Sequence, residues 1–248
     1  MIYVKNKKDI ELMREACKLT KMALYHVGEH IKPGITTGEL DRIAYDFIKK
    51  HNAIPSFLNY NGFPASICSS VNDEVVHGIP GNRVIEDGDI VSIDMGVYFN
   101  GFHGDCAKTF FAGNVSEEAK RLVEVTRQSF YEGLKFAKAG NRIGDISSAV
   151  QAYVEENGYS VVRDLVGHGI GKELHEDPSV PNFGKAGKGV RLIPGMTLAI
   201  EPMVNQGSYY VFTDDTNWTV KTCDGSLSAH YENTILITEG EPEILTKA

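Results

Sequence analysis

The 248-residue chain has no long apolar run, no excess of positive charge and no closely spaced cysteines, and each absence removes a class of function. No stretch approaches the roughly 18–20 apolar residues that a membrane-spanning helix needs, so no membrane contact is expected. Twenty-five lysines and arginines stand against 33 aspartates and glutamates, a formal net charge of -8. That balance argues against nonspecific nucleic-acid binding, which requires a basic face. Cys17, Cys68, Cys106 and Cys223 lie far apart with no CxxC. They suit reduced thiols better than a disulfide framework or a cysteine-rich zinc site. The opening MIYVKNKKDI lacks the apolar segment and cleavage site of a secretory signal, which predicts a cytoplasmic protein. Low-complexity tracts and Pro/Ser-rich linkers are missing too, so residues 1–248 are expected to form a single catalytic domain.

What is present begins with helix signals. Asn6 or Asp9 can cap a first helix to about His30, with Ile10, Met13, Cys17, Thr20, Leu24 and Val27 as its buried stripe. Lys32-Pro-Gly34 ends it, and Thr36 with Glu39 forms a capping-box pattern for a second helix carrying Leu40, Ile43, Ala44, Phe47 and Ile48 on one face. Ser116 opens a third helix to about Ala137, and a fourth runs from about Ile143 to Asn157. Strands are expected near 66–71 and 90–110. The remainder is β-rich, with a hairpin-type turn at Asp224-Gly225.

The chain also resembles itself. KPGITTGELDRIAYDFIKKHN (32–52) aligns with KAGNRIGDISSAVQAYVEENG (138–158) at an offset of 106, and DGDIVSID (87–94) with PGMTLAIE (194–201) at 107. Two similar halves, about 1–112 and 113–248, are therefore predicted, each built as helix, helix, then antiparallel strands. Together they would form an α+β fold with one antiparallel sheet covered by helices.

The segment IDMGVYFNGFHGDCAKTF (93–110) carries the first chemical signal. An Asn100-Gly101 turn pairs Gly96 with Asp105, and strand parity then puts Asp94 on the same face as Asp105. Two unpaired carboxylates on a half-buried sheet would repel and lose hydration, so a positive group is expected between them. The offset of 107 sets Glu201 opposite Asp94, and Glu232 sits inside the apolar strand of AHYENTILIT. GHGIGKELHEDP offers His168 and His175, and VVHGIPG offers His77. Four carboxylates with an imidazole make an oxygen-rich donor set suited to a pair of divalent ions, with Mn, Fe, Co or Zn favoured over Cu.

In order and context (IDMG, HGDCAKTF, GHGIG, AIEPM, HYENT) these residues resemble the type I methionine aminopeptidases, in their short bacterial-like form. The resemblance covers essentially the whole chain and implies the duplicated "pita-bread" fold. It implies that Asp94, Asp105, His168, Glu201 and Glu232 hold two divalent metal ions, with Asp105 and Glu232 bridging and Glu201 as proton acceptor. His175 would stabilise the developing oxyanion, and His77 would contact the scissile amide. Phe57, Tyr60, Phe63, Cys68, His77, His175 and Trp218 would line the methionine pocket, and a monovalent cation would sit near Asn72 and Ser228. The implied activity is removal of initiator methionine from nascent chains when the second residue is small, by a monomer near the ribosome exit. Two alternative readings remain: an X-Pro dipeptidase with a similar donor set, and a silent homologue that only binds peptides or proteins. The dipeptidases usually carry an extra N-terminal domain, and silent relatives typically lose metal donors.

Overall fold

The structure, a computed structural model, describes residues 2–247. Among these residues four α-helices form where local signals place them. In α1 (Lys7–Gly28) the Asn6 side chain accepts the Lys8 and Asp9 N–H groups, while Asp9 accepts the Asn6 N–H. Asn6 is thus the cap and Asp9 closes the box. Thr36 and Glu39 make the same reciprocal pair ahead of α2 (Thr37–Lys50), and Ser116 caps α3 (Glu117–Leu134). The fourth, α4, spans Ile143–Glu156.

The repeat has a structural counterpart. Thr37 and Ile143 start α2 and α4, Lys50 and Glu156 end them, and each pair is 106 residues apart. The N-termini dock alike: Thr37 N–H donates to Arg83 O and Gly38 N–H to Gly81 O, as Ile143 donates to Val190 O and Gly144 to Lys188 O. Such close backbone approach leaves no room for a side chain. A Cβ on Gly38 would lie 2.9 Å from Gly81 O, and one on Gly144 would lie 2.3 Å from Lys185 O. Alanine favours a helix over glycine by about 1 kcal/mol. The clash costs about 1–3 kcal/mol and involves backbone that cannot swing away. Gly144→Ala is therefore expected to lower the denaturation midpoint; an unchanged or raised midpoint would show that the loop yields.

Six strands position the site: β1 (Cys68–Val71), β2 (Ile90–Phe99), β3 (Phe102–Phe111), β4 (Val166–Gly169), β5 (Thr197–Ile200) and β6 (Asn233–Leu236). β2 and β3 form the hairpin expected from Asn100-Gly101, whose φ values of 52° and 87° suit a two-residue turn. Gly96 faces Asp105 and Asp94 faces Ala107. Val91, Ile93, Met95 and Val97 point the other way, into a core with Leu24, Val27, Leu40, Ala44 and Ile48 from α1 and α2. A second core joins Leu122 and Phe130 of α3 and Ile146 and Val150 of α4 to Leu198, Ile200 and Ile235.

The expected single sheet is divided. Among the described residues the ladders form four sheets, with β1, β2 and β3 in one and β4, β5 and β6 in another. They meet at a short seam. Ala107 and Glu232 exchange backbone hydrogen bonds at 3.3 and 3.0 Å. Thr234 Oγ1 donates to Asp105 O and accepts its N–H, and Thr109 Oγ1 does the same with His230. Hydroxyls thus replace ladder bonds on both sides of Glu232. The Asp224-Gly225 turn also differs from expectation: Val220–Thr222 pairs with Val211–Thr213 and Glu74–Val76, whereas Ser228–His230 pairs with Met203–Asn205. The turn sends the chain from one sheet to another. Among the described residues no helix is long and apolar enough to cross a membrane.

Candidate active site

The seam and the hairpin bring the carboxylates together. Asp94 and Asp105 come from β2 and β3, His168 from β4, Glu201 from the residue after β5, and Glu232 from the residue before β6. Donor atoms of Asp105, His168 and Glu232 lie within 4.8 Å of one another. His168 Nε2 is 3.8 Å from Asp105 Oδ2 and 3.7 Å from Glu201 Oε1. Its Nδ1 lies 2.8 Å from the Gly169 carbonyl, which can only accept, so Nδ1 carries the proton and Nε2 presents a lone pair to the carboxylates.

Asp105 and Glu232 are 3% and 2% exposed, so water cannot screen them. Asp94 and Glu201 are half-buried, yet Oδ1 of Asp94 and of Asp105 and Oε1 of Glu232 are shut from solvent without a hydrogen-bond partner. Burial raises the pKa of all four groups; neighbouring carboxylates raise those of Asp105, Glu201 and Glu232 further. Burial pushes His168 down to about 3. Among the described residues no lysine or arginine pairs with these carboxylates. Orphaned buried oxygens, mutual repulsion and a neutral imidazole lone pair fit a divalent cation.

The same residues form one end of a cavity of about 240 Å³ that Phe57, Tyr60, Phe63, Cys68, His77, His175 and Trp218 complete. Phe63 meets Trp218 edge-on at 5.1 Å. His77 has a left-handed backbone, φ 59°, which costs a non-glycine residue about 1–3 kcal/mol. Its carbonyl accepts from Thr219 Oγ1 at 3.3 Å, and burial lowers its pKa to about 4. His175 Nδ1 is 2.8 Å from the Tyr60 hydroxyl, and its ring lies 4.2 Å from that of His168.

Asn72 and Ser228 adjoin each other outside this cavity. Ser228 N–H donates to Asn72 O at 2.8 Å. Asn72 uses its side chain on Asp89 and Ile90, and Ser228 Oγ donates to Val204 O and Asn205 Oδ1. The cavity also has lining that sequence reasoning missed, Asn61 and Leu174. A further buried residue, His230, has Nε2 3.7 Å from Glu201 Oε2 and both ring nitrogens without a hydrogen bond. His230 did have a signal: it stands two residues before Glu232, and alternation puts both on one face.

Known proteins resemble this chain in sequence and in fold. The sequence pattern of metallopeptidase family M24 matches residues 11–239. A methionine aminopeptidase of Clostridium perfringens is 59% identical over 246 residues, 99% of each chain. The methionine aminopeptidase 1 of Bacillus subtilis is 56% identical over 247 residues, covering 100% of both. Among solved structures, a methionine aminopeptidase from Rickettsia prowazekii superposes with a TM-score of 0.98 at 44% identity, covering 100% of both chains.

Proposed function

The chain belongs to metallopeptidase family M24 with its pita-bread α+β fold, and from that premise we infer that it is a metal-dependent aminopeptidase. Its substrate is the initiator methionine of nascent proteins and peptides whose second residue is small. The observation that carries this reading is one cavity that joins a buried carboxylate cluster to an apolar pocket. A volume of about 240 Å³ gives room for one long side chain beside the carboxylates. Phe57, Phe63 and Trp218 offer the aromatic edges that a thioether favours. His77, His168 and His175 also line the cavity, and their crowding would favour a small second residue.

Asp94, Asp105, His168, Glu201 and Glu232 would hold two divalent ions, Mn, Fe, Co or Zn. Such ions lower the pKa of water toward neutrality and polarise a carbonyl. Glu201, with its carboxylate pKa raised, takes a proton at its carboxylate from the attacking water. His175 donates to the carbonyl oxygen as charge develops there. His77 contacts the scissile amide. Residues 1–248 act as one catalytic unit, because β2 and β3 supply two donors and the rest of the chain three. The protein would work as a monomer in the cytoplasm near the ribosome exit, where newly made chains carry initiator methionine. A monovalent cation at Asn72 and Ser228 is a separate, structural expectation.

The assay is to incubate metal-stripped protein with Met-Ala-Ser, Met-Leu-Ser and Ala-Pro, before and after adding Mn or Co. Methionine is expected from Met-Ala-Ser alone, and after metal only. Turnover in excess chelator, or a preference for Ala-Pro, would overturn the reading.

A further inference from the structure

Tyr60 sits in LNYNGF, a turn drawn tight by its backbone. Tyr60 N–H donates to Phe57 O, Phe63 N–H to Tyr60 O and Asn59 N–H to Phe63 O, at 2.9, 2.9 and 2.8 Å. Asn59 and Asn61 take left-handed φ values of 66° and 49°, a conformation asparagine tolerates better than most residues. His175 is fixed from its own side. The next residue, Glu176, accepts the Lys172 and Glu173 N–H groups at 2.9 and 3.3 Å and pairs with the buried Lys5 at 2.5 Å. Both partners of the 2.8 Å contact between the Tyr60 hydroxyl and His175 Nδ1 are therefore held on braced segments.

The direction of that hydrogen bond matters. Among the described residues the phenol oxygen has no other hydrogen-bond partner, so Nδ1 is the protein acceptor open to its proton. Burial, with the charge of Glu173, raises the Tyr60 pKa, so the phenol holds the proton it can donate. A neutral imidazole that accepts at Nδ1 must carry its proton on Nε2.

We propose that Tyr60 is a positioning residue that fixes the His175 tautomer, so that an Nε2–H is presented to the substrate carbonyl. The proposal rests on the aminopeptidase reading, in which His175 steadies the oxyanion, and it gives Tyr60 a role beyond that of a pocket wall. The opposite tautomer would aim a lone pair at the developing negative charge.

Tyr60→Phe keeps the ring and removes the hydroxyl. With Met-Ala-Ser, kcat is expected to fall about tenfold, within the range for losing an orienting hydrogen bond, while KM and metal content hold. Nitrogen-15 spectra of the zinc-loaded, histidine-labelled enzyme, with His175 assigned by its loss in His175→Ala, should show the Nε2–H tautomer in the wild type and a mixture in Tyr60→Phe. An Nδ1–H tautomer in the wild type, or unchanged kcat and tautomer in Tyr60→Phe, would overturn the proposal. Unchanged turnover in His175→Ala would instead remove the oxyanion role on which it stands.

Discussion

Glutamine in place of Glu232 is expected to lower kcat/KM about a thousandfold, equivalent to about 4 kcal/mol of transition-state stabilisation. Glu232 is 2% exposed and its Oε1 has no hydrogen-bond partner, so water cannot take over the lost anionic donor. It lies at the seam between the two sheets, where its backbone exchanges hydrogen bonds with Ala107. The amide has the same shape, and the fold should survive. Metal content measured on the purified variant should fall from two ions to one. In metal-free protein the same change should raise the melting temperature, since it removes one of four crowded buried carboxylates. Unchanged turnover and metal content would refute a bridging role for Glu232.

Replacing His175 by alanine should lower kcat by about 10²–10³, the range for losing one oxyanion donor. KM and metal content should stay near wild type, because His175 is outside the donor cluster, its ring 4.2 Å from that of His168. Steady-state kinetics on Met-Ala-Ser, with metal analysis of the same sample, separates the two effects. A loss of metal with no change in kcat per bound metal would assign His175 to holding the cluster.

Much of the scaffold was legible because its signals are local. Asn6 with Asp9, Thr36 with Glu39, and Ser116 placed three helix starts, since capping is settled within four residues. Asn100-Gly101 placed the hairpin, because a two-residue turn sets its own register. Gly38 and Gly144 coincided in the internal repeat for a reason only the structure supplies: both press against a backbone carbonyl. How the antiparallel ladders group, and where the Asp224-Gly225 turn leads, are not legible locally because strand partners are chosen by distant packing. His230 was passed over because its approach to Glu201 depends on where the chain returns after residue 202.

Local sequence signals account for the helices, the duplicated order, the hairpin parity of Asp94 and Asp105, and the residue types of the proposed donor set. Tertiary structure decided the meeting of the carboxylates across the Ala107–Glu232 seam, their burial and the contact of Tyr60 with His175. Capping and turn geometry act over a few residues and leave a pattern in sequence. Burial, repulsion between carboxylates and the choice of a tautomer arise between groups far apart in the chain. They take their size from the water that folding excludes.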